Sequence, residues 1–210
     1  MSTNYRIEKD FLGEKQIPAD AYYGVQTQRG KDNFLITGTP MSAEPYFVQA
    51  FGYVKKACAL ANRDGKIANA IIGACDRLIA GELREHLVTD FIQGGAGTST
   101  NMNANEVIAN VALESLGHQK GDYHIINPND HVNFGQSTND VYPTAFRLAL
   151  ILRLASYMEA LRKLQGSFYA KAKEFERVLK MGRTHLQDAV PMSLGQEFHG
   201  WGTTMGEEVE

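Results

Sequence analysis

Three polar segments of the sequence carry residue types that suit the binding of a small anion. They are residues 94–106, 135–140 and 182–188, and each combines glycine with hydroxyl, amide or imidazole side chains. Hydroxyl and amide groups can surround carboxylate oxygens without a metal or redox centre, and a helix start adds unpaired backbone N–H groups. The pattern predicts that the three segments converge on one carboxylate-binding site.

A simpler interpretation is that each segment only caps a helix. Ser137 and Asp140 have the spacing of a capping box, as do Asn103 and Glu106, and for any one segment capping is the stronger interpretation. Three such segments in one chain favour a site, although spacing alone does not decide between the two. His185 is the strongest single candidate, because a histidine in a polar loop can act as acid, base or ligand. A structural histidine is an equal alternative.

Composition and charge exclude several other classes of function. The net charge of −3 and the pI near 6.1 give no electrostatic reason to expect nucleic acid as a partner. Cys58 and Cys75 form no CxxC pair, which predicts buried free thiols in a reducing compartment. A polar N-terminus and the absence of any apolar run of about 18 residues predict a cytoplasmic protein without a membrane span.

Metal and nucleotide sites are also disfavoured by the motifs. The histidines other than His185 lack the spacing of a zinc site. The glycine-rich stretch lacks the Gly-Lys-Ser/Thr ending of a P-loop, and Thr100 stands at the third glycine of the dinucleotide fingerprint.

The elements that must position these segments are mostly helices. Residues 1–41 are rich in turn-forming residues, and residues 22–30 are predicted to be a surface loop. Apolar residues at helical spacing predict helices from about residue 45 to 61, from 66 to 79, and after the glycine-rich stretch up to Gly117, with a short helix within 82–93. A long polar loop then covers residues 117–136.

The dominant predicted element is a helix that runs from Pro143 in its first turn to about Leu179, roughly 55 Å long. A loop at 182–190 and the opening of a second long helix follow. Such lengths require a helical bundle. We therefore expect a mainly α fold, with an N-terminal helical domain at 1–140 and the first long helices of a central bundle at 141–210, completed by further sequence or other subunits.

Residues 95–110, GAGTSTNMNANEVIAN, resemble a signature stretch of the fumarase/aspartase superfamily. Residues 22–29, 127–140, 182–191 and 194–198 resemble its other signature stretches, so the similarity covers nearly the whole chain in order. Within the superfamily the chain is more similar to the aspartase branch than to the fumarases. Asn127 stands where fumarases usually have His, and Thr138 stands where they usually have Ser.

This resemblance implies an activity and a set of site residues. The activity is the elimination of ammonia from L-aspartate to give fumarate through an aci-carboxylate intermediate, in a homotetramer. No cofactor is needed for the chemistry, and activation by a divalent metal is left open. The substrate-binding residues implied are Thr98, Ser99, Ser137, Thr138, Asn139, Thr184 and His185, with Thr184 and His185 also catalytic. Among these, Ser137, Thr138 and Thr184 match carboxylate ligands, and Thr98, Asn139 and His185 match groups around the leaving group.

The resemblance also implies a general base that these 210 residues do not contain. In the superfamily the base is a serine in a mobile Gly-Ser-Ser loop, and no Gly-Ser-Ser occurs in the sequence. We therefore expect that loop beyond Glu210 and expect no turnover by this chain alone. The alternatives are a class II fumarate hydratase and a non-catalytic structural or interaction protein on the same scaffold.

Overall fold

The structure, a computed structural model, describes residues 4–62 and 65–209 and contains two compact units, Met1–Leu150 and Ile151–Glu210. The domain boundary predicted at residue 140 stays a prediction. In chain order the elements are β1 (Tyr5–Asp10), β2 (Gly13–Pro18), α1 (Val25–Asn33), α2 (Pro45–Asn62), α3 (Lys66–Ile79), α4 (Thr98–Ser115), α5 (Thr138–Glu174), β3 (Leu179–Thr184), β4 (Gln187–Ser193) and α6 (Leu194–Glu207). Short helical turns lie at Met41–Ala43, Arg84–His86 and Pro128–Val132. Within the described ranges, no helix combines the length and apolar character that a membrane crossing requires.

The first 41 residues are more regular than the sequence indicates. Strands β1 and β2 pair antiparallel, from Tyr5 opposite Pro18 to Asp10 opposite Gly13. Helix α1 occupies most of the stretch predicted to be a surface loop, so that prediction is wrong. The cause is a long-range interaction: the start of α1 is bound by the carboxylate of Glu106, on α4, and local composition carries no sign of this contact.

The core of the first unit lies between α2, α3 and α4. The helical spacing of apolar residues on α2 and α3 is confirmed, because Phe51, Ile71 and Leu78 are almost completely buried. The two helices approach closely at Gly52, where an added Cβ would stand 2.7 Å from Ile79 Cγ1. Cys75 is buried as predicted, whereas Cys58 is only half-buried. Apolar burial of this extent is the main stabilising contribution to such a unit.

Helix α4 begins earlier than the predicted capping box at Asn103 and Glu106. Its first residue is Thr98 and its N-cap is Gly97, so both supposed capping residues lie inside the helix and are buried. Asn103 Oδ1 instead accepts a hydrogen bond from the backbone N–H of Val88 at 2.8 Å. The short helix expected within 82–93 is a single 3₁₀ turn, and Asn103 holds the backbone that follows it.

Helix α5 is the long element predicted, with 37 residues. Pro143 lies in its second turn, one turn later than expected. The helix ends at Glu174, earlier than predicted. Leu179, the predicted end of the helix, is exposed and begins β3.

In the second unit, the predicted loop at 182–190 is a β-hairpin. Strands β3 and β4 are antiparallel neighbours, with Thr184 paired to Gln187. Helix α6 then begins at a capping box in which Ser193 and Gln196 exchange side-chain and backbone hydrogen bonds. Phe198 packs edge-on against Trp201, with ring centroids 4.9 Å apart.

Candidate active site

The first polar segment is a tight turn that leads into α4. Gly95, Ala96 and Gly97 adopt positive φ angles of 72°, 51° and 89°, a left-handed conformation that glycine reaches without steric cost. The turn places Thr98 at the first position of α4, where its exposed hydroxyl donates to the carbonyl oxygen of Gly95 at 2.5 Å. Helix α4 thus begins directly after the glycine-rich stretch, as predicted.

The next residue, Ser99, is half-buried and borders a cavity of about 340 Å³. Asp10, Gln26 and Arg29 line the same cavity from the side of the N-terminal hairpin and α1. Arg29 holds Asp10 through two hydrogen bonds of 2.7 and 2.8 Å, and these keep the pKa of Asp10 below its usual range. The two charges therefore neutralise each other, and the hydroxyl of Ser99 adds a neutral polar group to the lining.

The second polar segment forms the start of α5. Ser137 Oγ accepts a hydrogen bond from the backbone N–H of Asn139 at 3.2 Å, and the Ser137 carbonyl accepts from the N–H groups of Asp140 and Val141. Ser137 and Asn139 are exposed, whereas Thr138 is half-buried. This segment therefore both begins a helix and presents hydroxyl and amide groups at the surface of the first unit.

The structure brings these two segments together. Asn101, one turn into α4, donates from Nδ2 to Thr138 Oγ1 at 3.1 Å. Gly97 lies directly against the ring of Tyr142, on the second turn of α5. The N-termini of α4 and α5 are therefore neighbours. Most of their first N–H groups are bonded within the chain, so it is mainly the two helix dipoles that favour a negative charge close to both.

The third polar segment lies in the second unit, at the tip of the β3–β4 hairpin. His185 and Leu186 form its two-residue turn with φ angles of 50° and 61°, and Thr184 is the last residue of β3. Arg183 clamps the turn by donating to Asp188 Oδ1 and to the Leu186 carbonyl, both at 2.8 Å. All of these side chains are exposed. The convergence of Thr184 and His185 with the other two segments stays a prediction.

A buried lysine close to the second segment was missed by the sequence analysis. Lys55 on α2 is fully buried, and its ammonium group donates to Asn133 Oδ1 at 2.9 Å and to Gln136 Oε1 at 2.8 Å. Burial lowers the pKa of Lys55 to about 7. One signal was present: Lys55 follows Phe51 by four residues and so lies on the apolar face of α2.

A buried carboxylate positions α1 beside these elements. Glu106 Oε2 accepts from the N–H groups of Gly24 and Thr27 and from the Thr27 hydroxyl, and Glu106 Oε1 accepts from the N–H of Gln26, at 2.6–3.0 Å. Burial raises the pKa of Glu106 to about 7, against the opposing effect of the Thr27 hydrogen bonds. Four donors on one carboxylate fix the start of α1 against α4.

Within residues 4–62 and 65–209, no three His, Cys, Asp or Glu side chains come close enough together to hold a metal ion.

Comparison with known proteins places this arrangement among the lyases. Aspartate ammonia-lyase from Pseudomonas aeruginosa is 57% identical over 210 residues, which is 98% of this chain and 44% of the relative. Aspartate ammonia-lyase from Escherichia coli K12 is 52% identical, over 100% of this chain and 45% of the relative. The chain thus spans just under half of the length of these curated relatives.

Solved structures of the same kind have the same fold. A fumarate lyase:delta crystallin from Brucella melitensis superimposes with a TM-score of 0.86 at 52% identity, covering 98% of this chain and 49% of that one. Class II fumarase from Schistosoma mansoni gives 0.80 at 35% identity, over 98% and 44%. A family profile described as lyase matches residues 13–210. The chain belongs to this lyase family, and its mainly helical fold is that of the fumarase/aspartase superfamily.

Proposed function

We propose that the protein carrying this chain is an aspartate ammonia-lyase, which eliminates ammonia from L-aspartate to give fumarate. The observation that carries the proposal is identity of 52–57% to curated aspartate ammonia-lyases over 98–100% of the chain. The adjacent starts of α4 and α5 support it, because they bring neutral hydroxyl and amide groups close together. Binding of a dicarboxylate requires several such hydrogen-bonding groups in one place.

In the proposed chemistry, the serine of the expected Gly-Ser-Ser loop takes a proton from the carbon next to one carboxylate, and ammonia leaves from the neighbouring carbon. Charge accumulates on that carboxylate as a dianionic aci-carboxylate, so preorganised donors at its oxygens lower the barrier most. We assign this role to Ser137, Thr138 and Thr184. Thr98, Asn139 and His185 then surround the amino group, with His185 available for proton transfer. Ser99, which borders the cavity lined by Asp10 and Arg29, is included among the substrate-binding residues on the family resemblance.

The two helix starts supply part of the charge stabilisation in this proposal. Thr98 begins α4 and Thr138 begins α5, and Asn101 links the two helices through Thr138. A helix N-terminus stabilises a nearby negative charge by about 0.3–1 kcal/mol at an exposed position and by more when it is partly buried. Two helix N-termini therefore suit a substrate whose negative charge increases during the reaction.

A homotetramer belongs to the same proposal. Helix α5 exposes a series of large apolar side chains, among them Leu150, Ile151, Leu154 and Tyr157, each more than half exposed. An apolar surface of this kind is typical of an interface between subunits. Size-exclusion chromatography with light scattering tests the tetramer, and a monodisperse monomer would contradict it. A cytoplasmic location is also proposed, and cell fractionation tests it.

The decisive experiment compares two substrates of the full-length protein. Formation of fumarate, followed by its ultraviolet absorbance, should be fast from L-aspartate and negligible from L-malate. Faster turnover of L-malate would instead identify a fumarate hydratase. Absence of turnover with both substrates, in a folded and assembled protein, would identify a non-catalytic scaffold.

A further inference from the structure

The fully buried Lys55 has neutral partners. Its ammonium group donates to the side-chain oxygens of Asn133 and Gln136, and no ion pair of Lys55 occurs among the residues that the structure describes. A buried charge without a counter-charge is costly and uncommon in proteins. Such a group is expected to have a role that a neutral, apolar residue cannot fill.

A chain of hydrogen bonds leads from Lys55 to the start of α5. Asn133 Oδ1, which accepts from Lys55, also accepts from Asn101 Nδ2 at 3.1 Å. The second hydrogen of Asn101 Nδ2 is donated to Thr138 Oγ1, also at 3.1 Å. One series of hydrogen bonds therefore connects four side chains. They are Lys55 of α2, Asn133 of the loop before α5, Asn101 of α4 and Thr138 of α5.

Protonated Lys55 sets the direction of every bond in this series. In this form its ammonium group only donates, so Asn133 must turn its oxygen toward Lys55. Asn101 must then present its NH₂ group to that oxygen, and its second N–H points at Thr138. Because Thr138 Oγ1 accepts this bond, the hydroxyl hydrogen of Thr138 is left to donate elsewhere.

An unpaired atom in the series agrees with this direction. Asn101 is almost completely buried, and its Oδ1 has no hydrogen-bond partner within the described residues. Buried amide oxygens are nearly always paired. A reversed Asn101 would set its oxygen against that of Asn133, so the orientation imposed by Lys55 accounts for the oxygen that remains unpaired.

We propose that Lys55 is a positioning residue that orients the Thr138 hydroxyl, through Asn133 and Asn101, to donate its hydrogen to a substrate carboxylate. Lys55 itself does not touch the substrate. The part played by the carboxylate rests on the proposed function, whereas the series of hydrogen bonds does not.

The same lysine also orders the backbone that precedes Ser137. Gln136 Oε1 accepts from Lys55, while Gln136 Nε2 donates to the carbonyl of Val132 at 2.8 Å. Asn133 Nδ2 donates to the Gln136 carbonyl at 3.3 Å. The turn at 132–136 is therefore closed by side chains that Lys55 holds in place.

The first test needs no ligand and compares Lys55→Met with Lys56→Met. Lys56 is the adjacent residue, and its partner is Asp76 at the surface, 2.6 Å away. NMR should show slowly exchanging side-chain amide protons of Asn101 in the wild type and in Lys56→Met. In Lys55→Met their exchange should accelerate about tenfold or more, as expected when one hydrogen bond of the series is lost. Equal exchange in all three proteins would overturn the proposal.

The second test is a double-mutant cycle on the affinity for fumarate in the full-length protein, measured by calorimetry. Lys55→Met and Thr138→Val should each weaken binding about tenfold, and the double variant should bind no more weakly than Thr138→Val alone. If Lys55 had a merely structural role, the two losses of affinity would multiply. That result would refute the proposed link from Lys55 to Thr138 through the series of hydrogen bonds. Lys56→Met should bind like the wild type.

A further variant covers the case in which Lys55→Met does not fold. Asn101→Leu interrupts the series and leaves Lys55 bonded to Asn133 and Gln136. It should weaken fumarate binding as much as Thr138→Val does, and combining the two substitutions should weaken binding no further. Full affinity in Asn101→Leu would contradict the proposal. If the wild type does not bind fumarate, the proposed function fails, and the NMR comparison still decides whether Lys55 directs Asn101.

Discussion

Gly97 offers a quantitative test of how closely α4 and α5 are packed at the candidate site. It is buried, has a φ angle of +89° and is the N-cap of α4. A Cβ added to Gly97 would stand 2.6 Å or less from three ring atoms of Tyr142. The substitution Gly97→Ala therefore introduces both backbone strain and a collision with an aromatic ring.

The magnitude follows from these two contributions. A left-handed conformation costs an alanine about 1–2 kcal/mol, and overpacking of a buried position costs about 1–3 kcal/mol. Gly97→Ala should thus lower the free energy of unfolding by about 2–5 kcal/mol. For a chain of this size, each kcal/mol corresponds to a decrease in Tm of about 2–4 °C.

Gly117 provides the matched control at the other end of α4. Its φ angle is +82°, and nothing lies within 4 Å of an added Cβ. Gly117→Ala should therefore cost only the backbone contribution, about 1–2 kcal/mol. Urea unfolding followed by circular dichroism compares the two variants. Equal costs for both would refute the close approach of Gly97 to Tyr142.

A second substitution isolates the ring. Tyr142→Leu, introduced into Gly97→Ala, removes the flat ring that the new methyl group meets and should recover part of the lost stability. The two changes are in contact and so should be strongly non-additive. Additive costs would show that strain elsewhere explains the effect of Gly97→Ala.

Three further predictions concern other groups. Glu106→Leu leaves buried N–H groups at the start of α1 without an acceptor and should lower the free energy of unfolding by at least about 3 kcal/mol in urea. Burial raises the pKa of Asp90, but backbone and hydroxyl donors outweigh it and bring the pKa down to about 2 from the ordinary 3.8. Its stabilising contribution is therefore present above pH 3.8 and is lost as the pH falls toward 2, so Asp90→Asn should flatten the acid-unfolding profile. His185→Ala should reduce turnover of L-aspartate by the full-length protein about a hundredfold, whereas Leu186→Ala, in the same turn, should not.

The parts of the fold that the sequence predicts well depend on local patterns. Buried residues such as Phe51 and Leu78 recur at helical spacing because one face of each helix must leave water. The bend at Gly95 and Gly97 is visible because only glycine enters the left-handed region without cost. In each of these cases the physical cause lies within a few residues of its effect.

The parts that the sequence misses depend on contacts between distant residues. Helix α1 has few apolar positions, and the carboxylate of Glu106, about 80 residues away along the chain, binds its N-terminus. The burial of Lys55 is set by amide oxygens that follow it by a similar distance. The capping-box spacing at Asn103 misplaced the start of α4, which begins five residues earlier. The true N-cap, Gly97, has no side chain and so carries no capping signal in the sequence.

The hairpin turn at His185 and Leu186 was missed for a different reason, and that reason bears on function. Two-residue turns with positive φ angles at both positions normally use Asn-Gly or Asp-Gly, so nothing in His-Leu indicates such a turn. Each non-glycine residue in this conformation costs about 1–2 kcal/mol, and residues better suited to the turn would avoid that cost. Strain of this kind tends to be kept where a side chain is needed for function. Leu186 shares this strain, so the backbone supports a functional role for the turn as a whole. Within the turn, the imidazole of His185 is the group that can transfer a proton.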